Sequence, residues 1–488
     1  MTVEASFHHA LSQSDFFDGS RARDSLGGLL PRLLTVSGLA ALWFSVCLMT
    51  LIMPPFQNPD EPAHFLRAEQ ISRGHPIGYR YSEFKSGGEA EINIGAAFTP
   101  FSPIFGKREI KFTSGMLAQA DAVHWSGELV EQNFPNTAVY PPFFYLPSAT
   151  GILIGKAAGL SILDTLYLSR LLSGLCAMAL GTAGILVADR AAPLLFAVLA
   201  LPMGLSLMAA VSQDGPMIGL AALAAAICLR IVRNGVPPFR HAVAVLTLAL
   251  TLIGMARPPY AALALLPLAL PGVAPATRWL SALTVLGLTV AWVCFATVMA
   301  QVALDRTNFM PDAALQVRLL LDNPYRIVSV ALDTLSGRGN GYLNEFVGQL
   351  GWLDVGIPRW FHKVAWIVLA AGLLGGLPQS SQIGGRQQNL LWTWIVAAAL
   401  ALGGAVAGIF GIQYLTWTAP GDAMVDGVQG RYFLVAAMIL ATFPAAAAVP
   451  RDRAASLTRL SWLMVTVFPL VTLPVMIWQV LSRYYLQS

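Results

Sequence analysis

Eleven apolar stretches, most of them long enough to cross a bilayer, run through this 488-residue sequence and leave few folds open. They cover 34–55, 168–188, 192–211, 215–233, 241–256, 260–272, 279–304, 363–378, 389–416, 432–449 and 460–480. A spanning helix needs about 20 apolar residues, and shorter ones depend on neighbours to satisfy their backbone. Only 11% of the residues are charged and 56% are hydrophobic, whereas roughly a quarter of the residues in a soluble domain carry charge. The expected fold class is an all-α integral membrane protein of about eleven transmembrane helices with a large outer loop after the first span.

Charge placement sets the orientation. If the tail carrying Arg21, Arg23 and Arg32 is cytoplasmic, eleven spans put Arg190, Arg230, Arg233, Arg240, Arg278, Arg386, Arg451, Arg453 and Arg459 inside, as the positive-inside tendency requires. A twelfth apolar stretch, 142–160, would scatter them, so it reads as a juxtamembrane or re-entrant helix. The same topology leaves 20 of the 26 acidic residues outside. The expected organisation is a cytoplasmic tail over 1–33 and a transmembrane domain over 34–488, which includes outer loops 56–167 and 305–362. Chemistry is expected on the extracytoplasmic face. Cys47, Cys176, Cys228 and Cys294 all lie in apolar stretches and read as core residues.

The first outer loop opens with Asn58-Pro59-Asp60-Glu61-Pro62-Ala63-His64-Phe65. Pro62 suits the first turn of a short helix running to about Ser72 and stopped by Gly74. Asp60 or Glu61 then falls at the N-cap, with His64 and Arg67 following at helical spacing. A capped helix on the membrane surface accounts for the pattern; so does a carboxylate placed as general base where bilayer meets water. The Pro-aromatic cluster from Tyr140 to Pro147 suits a rigid lining near headgroups.

Further polar spots stand at outer ends of spans. Asp214, in Ser212-Gln213-Asp214-Gly215-Pro216, is either a second site carboxylate or a helix start. Arg257, in Arg257-Pro258-Pro259-Tyr260, sits at a helix C-terminus, where the dipole favours a cation. Gly427-Val428-Gln429-Gly430-Arg431-Tyr432-Phe433 is different, because its arginine stands where a helix begins and a cation is disfavoured. A bound phosphate would resolve that conflict, and so would a salt bridge to Asp422 or Asp426. In loop 305–362 the pieces 337–342 and 351–354 read as irregular backbone with aromatics for sugar stacking or as a surface lid, with Asp354 a third functional carboxylate or a turn residue.

Taken together, the Pro59-to-Phe65 block, the Tyr-Pro-Pro at 140–142, Arg257-Pro-Pro-Tyr260, Leu350-Gly-Trp-Leu-Asp354 and the 427–433 block resemble the signature blocks of a family of bacterial polytopic membrane proteins of unknown function, over about residues 34–480. That family is similar in layout to the GT-C glycosyltransferases, which take a sugar from a polyprenyl-phosphate carrier outside the membrane, with inversion. The resemblance implies that Asp60 or Glu61 is the catalytic acidic position and Asp214 the second, with Gln213 standing where the family pattern often has Asn. The residues expected to bind substrate are His64, Arg67, Tyr140, Asp214, Arg257, Tyr260, Asp354, Gln429, Arg431 and Tyr432. The partners implied are a polyprenyl-phosphate sugar donor and a glycan, lipid or protein acceptor. No dedicated metal site is expected, and a divalent cation is admitted but not required. No basic run or aromatic platform points to nucleic acid. The alternatives are a transporter or flippase of a lipid-linked or anionic substrate, and a membrane scaffold without activity. Transporters tend to show internal repeats and ionisable groups at midplane, and neither is visible in the sequence.

Overall fold

The computed structural model describes residues 29–188, 193–302, 311–377, 385–443 and 451–486. Residues 1–28 of the expected tail over 1–33, Arg190, residues 303–310 at the start of the second outer loop, and 444–450 lie outside the described residues.

The chain is mostly helical. Helix α1 (Leu29–Ile52) leads into a compact cap segment formed by α2 (Glu61–Ser72), β1 (Tyr79–Arg80), β2 (Ser86–Glu91), α3 (Asn93–Phe98), α4 (Ser114–Asp121), β3 (Leu129–Asn133) and α5 (Pro135–Ala138). The strands make an antiparallel sheet in the order β1-β2-β3, with Tyr79 opposite Gly87 and Gly87 opposite Asn133. Strand β2 lies directly on α2. A side chain at Gly88 would run into the Gln70 amide, so glycine there lets the sheet press the helix into place.

After a 3-10 turn at Pro142–Tyr145 come α6 (Leu146–Ala157) and α7 (Ile162–Ala188). Helix α6 has 12 residues, too few to cross a bilayer, and it packs beside α2 and α7. Two seven-residue helices, α8 (Pro193–Leu199) and α9 (Pro202–Met208), follow, then α10 (Asp214–Asn234) and α11 (Ala242–Ala256). A 3-10 segment at Pro258–Ala264 continues into α12 (Leu265–Leu268) and α13 (Pro275–Met299). Then come α14 (Ala313–Asp322), α15 (Tyr325–Gly348), the two-stranded hairpin β4 (Gln349–Leu350) and β5 (Val355–Gly356), α16 (Arg359–Gly375), α17 (Gly385–Thr416), a 3-10 turn at Gly430–Phe433, α18 (Leu434–Leu440) and α19 (Arg451–Tyr484).

Among the described residues, six helices are long and apolar enough to cross a membrane: 35–52, 162–188, 214–234, 275–299, 392–416 and 456–484. Three shorter apolar helices lie at 242–256, 258–268 and 430–440. Helix α10 is the hub, its apolar length almost wholly enclosed by protein. Small residues let α7 approach it closely: a Cβ on Gly184 would meet the backbone of Ala222, and one on Gly219 would meet Ala177.

Two expectations are corrected. The stretch 192–211 is a pair of short helices broken before Pro202, because proline disfavours helical geometry in the residue before it. Residues 337–342, expected to be irregular, lie inside the 24-residue α15. Their three glycines each lower helix propensity, yet the apolar residues on either side keep the helical period. The turn at Gly351–Asp354 is irregular as expected, with Gly351 at φ 62° and Leu353 at φ 63°.

Candidate functional site

Asp60 and Glu61 are adjacent in sequence and separate completely in the fold. Pro62 occupies the first turn of α2 as expected, and Gly74 beyond its end has φ 83°. Asp60 stands at the N-cap but makes no side-chain cap; its backbone is left-handed, at φ 58° and ψ 10°. That conformation is one of only three positive-φ non-glycine positions among the described residues, with Phe56 and Leu353. Aspartate tolerates it better than most residues, at a cost of about 1 kcal/mol.

Glu61 turns into the core. Its carboxylate accepts from Arg170 Nη2 at 2.5 Å and Nε at 2.8 Å, from the Val211 amide at 3.0 Å and from Asn58 Nδ2 at 3.2 Å. Both partners are fully buried. Arg170 uses its remaining donors on the carbonyls of Thr50, Met53 and Pro54, the otherwise open C-terminal end of α1. One ion pair thus fastens α1, α2, α7 and the entry to α10. Trp352 adds a second tie by donating from Nε1 to the Phe56 carbonyl at 3.2 Å.

Asp60 points the other way. Arg431 Nη2 donates to its Oδ2 at 2.9 Å, and Asn136 Nδ2 approaches Oδ1 at 3.5 Å. The Asp60 side chain remains 36% exposed, whereas Arg431 is 5% exposed. Neither expected salt bridge partner of Arg431 holds it: Asp426 pairs with Arg338 at 2.5 Å, and Asp422 offers its carbonyl to Arg326 and Tyr414. The arginine rides on the 3-10 turn at 430–433. Gly430 carries it because a side chain there would strike the Tyr342 carbonyl and the Phe346 amide, and the Gly430 amide donates to Glu345 Oε2 at 2.6 Å.

A second ion pair adjoins the first. Arg257 Nη2 donates to Asp214 Oδ1 at 2.6 Å, and its guanidinium lies 4.3 Å from the centre of the Tyr432 ring, with Arg431 5.6 Å from the same ring. Tyr260, fully buried, fixes that ring by donating to the Tyr432 carbonyl at 2.5 Å. The two guanidiniums therefore flank one aromatic side chain. Arg257 Nε, Arg431 Nε and Gln429 Oε1 are buried with no protein partner, which leaves hydrogen-bonding capacity unspent in the cluster.

His64 sits within reach of all four charges. Its Nδ1 lies 2.6 Å from Tyr145 Oη, and its ring stacks on Tyr140. Burial pulls its pKa down to about 4, against the opposing influence of Asp60 and Asp214 and with the help of Arg431 and Arg257, so it is neutral at ordinary pH. Burial likewise pushes the Tyr140 hydroxyl up to about 12.

Two expected site residues do other work. Arg67 is fully buried and spends its donors on Gln70 Oε1 and the carbonyls of Pro76 and Tyr140, bracing the cap and the Tyr140 backbone. Asp354 pairs with Arg483 at 2.6 Å and accepts from Tyr484 Oη at 3.3 Å, tying the 351–354 turn to the end of α19. The structure thus brings together Asp60, His64, Tyr140, Asp214, Arg257, Tyr260, Gln429, Arg431 and Tyr432, while Glu61, Arg67 and Asp354 form ties around them. Sequence reasoning missed Arg170. Its signal was an arginine inside an apolar stretch, which needs a buried carboxylate or carbonyls.

Among the described residues no group of three or more His, Cys, Asp and Glu could hold a metal ion. Asp60 and Asp214 are each paired with a guanidinium.

Over residues 42–440 the chain matches the family described as "Predicted membrane protein (DUF2142)". It belongs to that family. No curated protein and no solved structure matches the chain.

Proposed function

We propose that this family member is an inverting glycosyltransferase that moves a sugar from a polyprenyl-phosphate donor to an acceptor hydroxyl, at a site facing the extracytoplasmic side of the bacterial inner membrane, with eleven spans around it. The observation that supports this reading most is the pairing of Asp60, the partly exposed carboxylate at a strained helix start, with Arg431, beside the Asp214–Arg257 pair. Strained backbone persists where the surroundings over-determine it, and it concentrates at functional sites.

In this reading the Asp60–Arg431 pair is the resting state. The donor phosphate competes for Arg431, using the spare Nε, and Arg257 adds a second positive charge. Asp60, released, accepts the proton of the acceptor hydroxyl. The acceptor oxygen bonds to the anomeric carbon from the face opposite the departing group, the bond from that carbon to the phosphate oxygen breaks, and polyprenyl phosphate leaves with its charge held by the arginines. Neutral His64 and the Tyr140 and Tyr432 rings form the wall against which a sugar would pack.

The test is transfer from a panel of radiolabelled polyprenyl-phosphate sugars by purified protein. Asp60→Asn should lower turnover by about 10²–10⁴-fold, and Arg431→Ala should mainly raise the donor concentration needed. Wild-type turnover in Asp60→Asn would sink the assignment. Movement of lipid between leaflets without turnover would favour the transporter reading instead.

A further inference from the structure

Helices α14 and α15 invert the pattern of a helix in water. On α15, Tyr325, Val328, Leu332, Leu335 and Leu343 recur at helical spacing along one face, and each is at least 50% exposed. Several polar groups on other faces turn toward protein: Arg326 donates to Tyr414 Oη, Arg338 pairs with Asp426, and Thr334 accepts from the Val425 amide, while Arg318, Asp322, Asp333, Asn340 and Asn344 stay exposed. Over residues 313–348 nine large hydrophobic residues are exposed, against three, Ile92, Phe105 and Leu129, over the much longer cap 57–141. Both segments lie outside the six helices of spanning length. The cap has a water-compatible surface and the α14–α15 pair does not.

The pair adjoins a spanning helix. Helix α14 packs against α17, and its Gln316 donates to the Tyr414 carbonyl near the end of that spanning helix. Four charged residues lie within α15, Arg326, Asp333, Arg338 and Glu345, and Asp333 among them is exposed, which weighs against a simple crossing. We propose that α14 and α15 lie flat in the bilayer interface with this apolar face buried among lipid acyl chains. The occupant is lipid because the face is apolar, its helix pair packs on the spanning helix α17 near that helix's end, and the exposed polar residues Asp333 and Asn340 border it. The far end of α15 packs directly on the Gly430–Arg431 turn, with Glu345 bonded to the Gly430 amide. A lipid-embedded α15 therefore brings the acyl region to within about one helix diameter of Arg431. The placement in lipid does not depend on the glycosyltransferase reading and needs no donor to test.

The experiment uses the full chain with its four cysteines replaced, reconstituted in phosphatidylcholine–phosphatidylglycerol nanodiscs containing brominated acyl chains. A bimane label is placed singly through Leu332→Cys, Leu335→Cys, Leu283→Cys on a spanning helix, or Ser102→Cys on the cap. Labels at 332 and 335 should be quenched within about twofold of the label at 283 and at least about threefold more than that at 102. Quenching at 332 and 335 no greater than at 102 overturns the proposal. Fast reaction with a water-soluble maleimide would then mean a wet face, and disulfide-linked dimers through 335 would mean a second copy seated there. Should the cysteine-free chain fail to fold, a benzophenone amino acid at 332 in the wild-type chain reads the same question: attachment to lipid supports the proposal, and attachment to protein or none overturns it.

Discussion

Two ion pairs that start from neighbouring residues divide the labour of this molecule. Glu61–Arg170 is sealed, multiply hydrogen-bonded and set among three carbonyls at the end of α1, whereas Asp60–Arg431 is partly open, joined through one guanidinium nitrogen and flanked by unspent donors. A sealed pair gives little to function and much to position, because losing one partner strands the other charge without water. An open pair contributes little to stability and remains available for exchange with a ligand. The left-handed turn at Asp60 separates the two directions, so a fixed anchor and a usable carboxylate follow one another without an intervening residue.

The sharpest way to break this contrast is to compare Arg170→Ala with Asp60→Asn by thermal or denaturant unfolding in detergent. Arg170→Ala should cost about 3–5 kcal/mol, and Asp60→Asn less than about 1 kcal/mol. Equal losses would mean that both pairs are structural. A pH series sharpens it next. His64 has its pKa lowered to about 4 from 6.5 by burial, so between those values the unfolded chain binds the extra proton. Stability therefore rises with pH through this window and is lost as pH falls from 6.5 toward 4, by up to about 1.4 kcal/mol per pH unit and about 3 kcal/mol in all. Unfolding midpoints of His64→Gln against wild type should show that slope flattened; an unchanged slope would move the titration elsewhere. The smallest effect concerns the ring between the arginines. Tyr260→Phe removes one buried hydrogen bond to the Tyr432 carbonyl and should cost about 1 kcal/mol, with loss of affinity for inorganic phosphate, read by calorimetry, as the sign that Tyr432 has lost its seat.

Much of the site was legible because its residue types conflict with their local positions. An arginine at a helix start and a carboxylate pair beside Pro62 both stand out in the sequence, although the salt bridge weighed for Arg431 is to Asp422 or Asp426 and the structure gives it Asp60 instead. The choice between Asp60 and Glu61 was not legible, since it depends on a backbone angle and on Arg170, 109 residues away in the chain. Arg67 is singled out by its helical spacing after His64, and Asp354 stands open between a functional carboxylate and a turn residue; apart from Gln70 one turn on from Arg67, their partners, the Pro76 and Tyr140 carbonyls and Arg483, lie in other elements. Helical periodicity exposed the long apolar segments, but it could not show where proline and close packing divide 192–211 into two short helices. The glycines of 337–342 misled for a related reason: tertiary packing on the Gly430 turn overrides weak local propensity.

The left-handed backbone at Asp60 also acts as a filter on chemistry. Only glycine, asparagine and aspartate enter that conformation readily, and of these aspartate alone carries a carboxylate. Glutamate, which would keep the charge, meets the steric penalty of an ordinary side chain and carries its acid one methylene farther from the main chain. The main chain at this one position therefore favours aspartate over glutamate as the residue that carries the charge.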